Sequence, residues 1–481
     1  MSLARNTTIY TIGNLLPALA GFLLLPLYSN YMTPEEYAII ASMEVLAYIY
    51  GVLVNFNLER ASYRFYFDKD DVQWRKDLFF TLHSSSIALA VVWLLIVLLL
   101  QDIISMIFPS IPFWPIYILV FGRATVEVLL SVPQQYFQVT EKPLHFVGIN
   151  LLRFFLNVSL VLWFLIVLEE GAEGILTASL IASSLLVPIS IYIALKYFRG
   201  SFRVEILKDA LNFCWPFIPT LIVAWIINLS DRVFLEYYAE SSQLGIYGMA
   251  YKISSVYLLM MGAYHTAYLP RFYKLANDID QVSAKLQLKK DAIVNITVHI
   301  VLLFMLLLWA HELVLWLLDE KYEDVTDILR LIFISHLFAA IPVVTYSAAL
   351  LQSKKTKLNM YAAILAAIIN VILNTILIPV YGMYGAAIAT VISMVSLFII
   401  QYLAAKQAYF IELPWKILWL GLISSLTLVF LFYYYIEDQE LVSFVLKSLL
   451  TLLICAYIIR KILKEQFGIR FIDLINGKNN D

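Results

Sequence analysis

The sequence predicts an all-α integral membrane protein with about fourteen membrane-spanning helices. Three observations predict it. First, 62% of the 481 residues are hydrophobic and 14% are charged, whereas a soluble domain averages about 45–50% apolar and about 25% charged. The mean hydropathy of +0.82 is too high for one water-soluble core to absorb, so lipid must solvate much of the surface. Second, the apolar residues fall into runs of roughly 20, enough to cross a bilayer core at about 1.5 Å per residue. Third, Lys and Arg collect in alternate connections between those runs.

The spans are read at 8–30, 36–57, 78–100, 113–132, 146–168, 174–195, 210–230, 243–264, 291–310, 328–351, 359–380, 383–405, 415–435 and 441–460. Arg5 and the triplet Ala18-Leu19-Ala20 imitate a signal peptide, but the apolar run continues to Leu27. Span 1 is therefore expected to be uncleaved. Glu35 and Glu36 read as the acidic first turn of span 2. Short connections make hairpins of spans 1–2, 5–6, 11–12 and 13–14.

With the N-terminus placed in the cytoplasm, the inner connections hold every basic cluster. Examples are Arg60 to Lys76, Lys196 to Lys208, Arg271 to Lys290 and Lys354 to Lys357. The outer connections hold only Arg232 and Lys321. A miscount of one span would invert every later connection and destroy this bias. The expected placement is a bacterial cytoplasmic (inner) membrane with both termini inside. Most connections are under about twenty residues and the longest, 265–290, is 26, which leaves no room for a soluble catalytic domain. No Gly-rich nucleotide loop is present. Cys214 and Cys455 lie in apolar stretches, without a Cys or His at metal-ligand spacing. No enzyme activity, cofactor, metal or nucleic-acid partner is expected.

An internal repeat divides the chain. Asn157-Val158 precedes Gly171-Ala-Glu-Gly174, and Asn370-Val371 precedes Gly382-Met-Tyr-Gly385, at offsets of 213 and 211. Gln138 and Leu144 match Gln352 and Leu358, and Tyr37 matches Tyr247. Spans 1–6 and 7–12 thus read as two copies in the same membrane orientation, related by a pseudo-twofold axis along the membrane normal. The expected units are an N-terminal lobe, 1–208; a C-terminal lobe, 209–410; and spans 13–14 with the cytoplasmic tail, 411–481.

Polar side chains recur at helical spacing inside the spans, where a charge costs a few kcal/mol or more unless it faces a partner or a wet cavity. Span 2 carries Glu44, Tyr48, Asn55 and Glu59; span 4 carries Arg123 and Glu127; span 5 carries Arg153; span 7 carries Trp225, Asn228, Asp231 and Arg232; span 8 carries Lys252. Each also has a plain reading. Arg123 and Glu127 at i, i+4 can neutralise each other. Arg153 can snorkel to headgroups, and Arg232 can be an interfacial residue. Membrane asparagines often bond a neighbouring helix. His299 and His336 read as satisfied core groups rather than proton relays. Lys252, two turns inside span 8, reads as a cavity cation for an anionic substrate. The substrate-facing set is Lys252, Arg123, Arg153, Arg232, Asn228, Trp225 and Asn55. The candidate coupling carboxylates are Glu44, Glu127 and Asp231. Pro17 in span 1, with Pro216 and Pro219 in span 7, interrupts spans that the repeat makes equivalent. Broken helices at matching positions point to a transport site and a hinge there.

Asp231-Arg232-Val-Phe-Leu-Glu-Tyr-Tyr, followed by Gly245-Ile-Tyr-Gly248-Met-Ala-Tyr-Lys252-Ile, resembles spans 7–8 of Wzx-type polysaccharide flippases. So does Asn370-Val-Ile-Leu-Asn374 with Ile378-Pro-Val-Tyr-Gly382-Met-Tyr-Gly385. These flippases belong to the multidrug/oligosaccharidyl-lipid/polysaccharide (MOP) exporter superfamily. The resemblance implies a two-lobed, V-shaped bundle that works by alternating access. It implies an undecaprenyl-diphosphate-linked oligosaccharide repeat unit as cargo, for surface polysaccharide or O-antigen synthesis. Membrane lipids, a polysaccharide polymerase and chain-length proteins would be partners. It also implies a cationic cavity lined by spans 1, 2, 7 and 8, from which Glu44 departs as an anion. Glu44 can pair with Lys252 or take up a proton. An ion-coupled multidrug antiporter of the same superfamily is the alternative. A membrane polymerase or glycosyltransferase fits less well, since the first outer connection is only a few residues long.

Overall fold

The computed structural model describes residues 21–436, 442–451 and 453. Most of span 1, including Pro17, and most of the second half of span 14 lie outside the described residues. Within them the chain is helical, and nine helices are long and apolar enough to cross a membrane. A tenth crossing is the pair Val204–Cys214 and Phe217–Leu229, bent by 41°. Spans 2 to 6 are Pro34–Asn55, Val72–Leu99, Phe113–Val139, Pro143–Val167 and Gly171–Tyr197; spans 8 to 10 are Ser241–Ala276, Gln281–Leu308 and Val325–Gln352.

Thr356–Ala405 runs for 50 residues, about 75 Å at helical rise and too long for one crossing. It is broken at Gly382, whose backbone (φ 54°, ψ −131°) is not helical. The break falls between expected spans 11 and 12. Trp415–Ile436 is a helix over the stretch read as span 13. The structure extends span 8 to Ala276, where the sequence suggested an end near 264, because the apolar face continues onto the basic side of the bundle.

Local chemistry sets the helix ends. Thr33 and Glu36 form a reciprocal cap on span 2, with Glu36 N donating to Thr33 Oγ1 at 3.3 Å and Thr33 N to Glu36 Oε2 at 3.0 Å. Pro34 occupies the first helical position, where its missing N–H costs nothing. Asp71 and Asp280 accept first-turn N–H groups at the starts of spans 3 and 9. In span 7 the bend falls at Trp215-Pro216, since proline lacks the donor that would continue the ladder.

Lipid-facing surfaces stay apolar: Val91, Val92 and Leu95 of span 3 are exposed, as are Ile368, Ile372 and Ile376 of span 11. The two lobes meet where spans 2 and 8 pack closely. A Cβ at Gly245 would lie 1.8 Å from the Pro34 carbonyl oxygen, and one at Gly248 would lie 2.6 Å from Ala41 Cβ. Only glycine admits this approach.

The repeat is visible in the backbone. Gly171 and Gly382 both have positive φ, +52° and +54°, and each opens an even-numbered span. Each also lies against a side-chain oxygen from the first turns of spans 2 and 8, Glu36 for Gly171 and Gln243 for Gly382.

Candidate functional site: a charged cavity closed by an inter-lobe ion triad

A cavity of about 610 Å³ opens among spans 1, 2, 4, 5, 6 and 8. Its polar lining is Tyr28, Tyr37, Glu44, Tyr48, Asn55, Arg123, Glu127, Ser131, Asn157, Ser179 and Lys252. It belongs mainly to the first lobe, with Lys252 reaching in from the second. Spans 2 and 4 read as polar stripes because residues three, four and seven apart share a helix face, and those faces form the two walls.

At the lobe interface Glu44 holds two cations. Lys252 Nζ donates to Glu44 Oε1 at 3.0 Å, and Arg232 Nη1 donates to Glu44 Oε2 at 3.0 Å. Arg232 Nη1 also donates to the Ala41 carbonyl at 3.0 Å, and its guanidinium lies over the Tyr251 ring. The Arg232 side chain is 4% exposed, while Lys252 and Glu44 are 31% and 39% exposed. Arg232 is thus the sealed member, and Lys252 and Glu44 face the cavity. Gly21 lets span 1 approach the Lys252 stem, with a Cβ there 2.7 Å from Lys252 Cε. One carboxylate between two cations leaves the triad one positive charge in excess.

On the span 4 wall Arg123 Nε meets Glu127 Oε1 at 3.0 Å, and Ser183 Oγ donates to the same oxygen at 3.3 Å. Asn157 donates to Ser179 at 3.1 Å. Asn55 Oδ1 is buried without a partner.

Four candidates do not line this cavity. Arg153 donates to Asn150 at 3.4 Å, beside Gln134. Trp225 Nε1 donates to the Val45 carbonyl at 3.1 Å and ties the lobes together. Asn228 donates to the Ala224 carbonyl of its own helix at 2.7 Å. Arg232 stands behind Glu44. Periodicity puts a residue on a face but does not say what that face meets.

Asp231 is buried in a separate cluster. Tyr247 donates to it, Tyr251 lies 3.5 Å away, and the Arg232 amide donates at 2.9 Å. On the second half of the repeat Asn374 donates to Asn370 at 3.0 Å. Tyr28 and Tyr37 also line the cavity; nothing in the spacing of aromatic residues separates a wall from a core. Among the described residues no group of three or more His, Cys, Asp or Glu gathers as a metal site.

Comparison with known proteins adds a separate line of evidence. The sequence profile of the family described as "Polysaccharide biosynthesis protein" matches residues 3–276, more than half of the chain. The profile of the MatE family matches residues 216–376. An uncharacterized membrane protein of Methanocaldococcus jannaschii is 29% identical over 162 residues, which are 33% of this chain and 37% of that protein. The chain therefore spans little more than a third of the length of that curated relative. Among solved structures, the lipid II flippase MurJ in an inward closed conformation superposes with a TM-score of 0.70 at 16% identity. That match covers 95% of this chain and 100% of the other. An inward-facing multidrug resistance MATE family transporter of the MOP superfamily gives 0.63 at 16% identity, covering 83% and 97%. At these identities the likeness is one of fold: a two-lobed helical membrane bundle.

Proposed function

We propose that this chain, which belongs to the polysaccharide biosynthesis protein family of the MOP superfamily, is a flippase for a polyprenyl-diphosphate-linked oligosaccharide. The observation that carries the reading is the cavity lined by Lys252 and Glu44, with Arg232 behind it as the second partner of that carboxylate. A diphosphate cannot enter hydrocarbon unaided, because its unsatisfied charge is prohibitively costly there. A phosphate oxygen that replaces Glu44 as the partner of Lys252 forms a charge-assisted hydrogen bond. It also releases the link between span 2 and span 8, so cargo binding and lobe separation become one event. Arg123, freed from Glu127, offers a second such contact from the span 4 wall. Asn55, Asn157, Tyr28 and Tyr48 suit sugar hydroxyls. The polyprenyl tail stays in lipid.

In this reading the basic face is cytoplasmic and the membrane is the cytoplasmic one. Span 7 bends at Pro216 and Pro219 as the lobes rock. The polymerase and chain-length proteins of polysaccharide assembly would take the product on the far side. Ion-coupled drug antiport is the second reading, favoured by the MatE profile match. It needs a free carboxylate for an organic cation, whereas both cavity carboxylates are already paired with cations.

The test is complementation of a host whose surface polysaccharide depends on this chain. Loss of a charged hydrogen bond of about 1.5–3 kcal/mol predicts that Lys252→Ala lowers export about tenfold to a hundredfold, with Lys252→Arg retaining more. Unchanged polysaccharide in Lys252→Ala would refute the cargo site.

A further inference from the structure

Glycines at the tight points of the bundle have a packing or backbone reason. Gly245 and Gly248 admit the neighbouring span, and Gly171 and Gly382 hold positive φ. Gly51 has neither reason. It sits inside the helix of span 2, and a Cβ there would meet nothing within 4 Å. Glycine in a helix interior is destabilising relative to alanine. One that no neighbour requires, on the wall of a cavity, keeps space open for something else. Gly148, Gly262 and Gly421 are open as well, but of these four only Gly51 lines the cavity.

The surroundings of that space are specific. The cavity face of span 2 runs Glu44, Tyr48, Gly51 and Asn55, at spacings of four, three and four. Gly51 therefore lies two turns beyond the triad carboxylate, about 10 Å along the helix axis. Tyr48 is 37% exposed, and among the described residues Asn55 Oδ1 is buried without a partner. Tyr50 Oη lies 2.8 Å from Thr125 Oγ1 and sets the register between spans 2 and 4. Arg123, Glu127 and Ser131 of the span 4 wall thus stand at about the levels of Tyr48, Gly51 and Asn55.

Together these residues make a slot beside a tyrosine ring, with an unused acceptor at one end. A tyrosine offers an apolar face and a polar tip. A pyranose ring has the complementary make-up, with C–H groups on its faces and hydroxyls around its rim. A buried acceptor without a donor is costly, and a sugar hydroxyl is a donor. A ligand without hydroxyl or amide donors would leave Asn55 Oδ1 as it is.

We propose that the gap at Gly51 seats the sugar ring next to the diphosphate, stacked on Tyr48 and donating to Asn55, and that Gly51 sets the size of ring admitted. The inference deepens the flippase reading, on which it rests, by dividing the cavity in two. Lys252 at the triad end takes phosphate; Tyr48, Gly51 and Asn55 take the sugar. Recognition of the glycan is then separate from recognition of charge.

The experiment titrates the full chain in detergent with two lipids. One is undecaprenyl diphosphate, which has no sugar. The other is the polyprenyl-diphosphate oligosaccharide extracted from a host whose surface polysaccharide depends on this chain. Affinity is read from the rise in melting temperature with lipid concentration. Wild type should bind both, the sugar-bearing lipid more tightly. Gly51→Leu fills the slot and should weaken the sugar-bearing lipid at least about tenfold, the contribution of about two neutral hydrogen bonds. It should bind the sugar-free lipid as wild type does. Gly51→Ala should fall between the two, and Gly148→Leu, at an open and exposed position on span 5, should match wild type with both lipids. Three results overturn the slot: no preference for the sugar-bearing lipid in wild type, an unchanged preference in Gly51→Leu, or an equal loss of both lipids. Should Gly51→Leu melt early without ligand, Tyr48→Ala decides, since it removes the platform instead of filling the gap; an unchanged preference there also overturns the slot. Lys252→Ala tests the flippase reading itself and should weaken both lipids. If it does so while Gly51→Leu keeps the preference, the sugar slot fails and the phosphate site stands. If Lys252→Ala weakens neither lipid, the flippase reading fails, whatever Gly51→Leu does.

Discussion

At the scale of single residues the decisive feature is the unequal burial of the Glu44 triad. Arg232 is sealed, so its charge depends on Glu44 and the Ala41 carbonyl. Removing one partner of a buried pair costs about 3–5 kcal/mol, whereas replacing both with apolar groups is often neutral. Glu44→Gln should therefore destabilise the protein toward the lower end of that range, because Glu44 is 39% exposed. The double variant Glu44→Leu/Arg232→Met should recover most of the loss while remaining inactive. Thermal unfolding in detergent, set beside export, reads both. A double variant no more stable than Glu44→Gln would show that the triad is not a coupled unit. A second residue case lies on the basic face. Asp77 is fully buried and accepts from Ser201 N at 2.8 Å, from Gln73 at 3.0 Å and from Arg203, clasping 198–203 to span 3. Asp77→Ala leaves these donors without their acceptor, at a cost of about 1–3 kcal/mol, readable in the same melting assay.

At the scale of elements, the glycines at Gly171 and Gly382 carry the clearest prediction. Both sit at positive φ against a side-chain oxygen. Alanine usually stabilises a helix interior relative to glycine by about 1 kcal/mol. At Gly382 it should instead destabilise, since the backbone is left-handed and Gln243 Oε1 lies 2.0 Å from the new Cβ. Gly382→Ala should thus lower the melting temperature, while Gly51→Ala, with open space around it, should not. This level was largely legible in the sequence. Hydropathy located the crossings because lipid makes the same demand of every span. The repeated Gly-x-x-Gly at offset 211 marked the breaks because a left-handed turn tolerates few other residues. Polar stripes were legible as stripes, but their partners were not. Trp225 and Asn228 share a helix, yet one bonds across the lobes and the other bonds its own backbone. That choice is made by tertiary packing. His299 and His336, read as core groups, are both buried, and each has a hydrogen-bond partner.

At the scale of the molecule, the two lobes meet along the close pair of spans 2 and 8 and through polar links such as Trp225 to the Val45 carbonyl and the Glu44 triad. Spans 2 and 8 touch through Gly245 and Gly248, and the triad lies on the same seam, in the half of the bundle away from the basic clusters. If the lobes part on that side during transport, this seam must open. A cysteine pair tests it. Ala41 Cβ lies 2.6 Å from where a Cβ at position 248 would stand, while a disulfide spans about 3.5–4.5 Å between Cβ atoms. A parting of about 1 Å therefore brings Ala41→Cys and Gly248→Cys into bonding range, in a background with Cys214→Ser and Cys455→Ser. Oxidation should halt export and a thiol reductant should restore it, because the bridge holds the seam shut while the cavity residues remain unchanged. Full export by a cross-linked protein would mean that spans 2 and 8 move as one body and that the cargo passes without opening this seam.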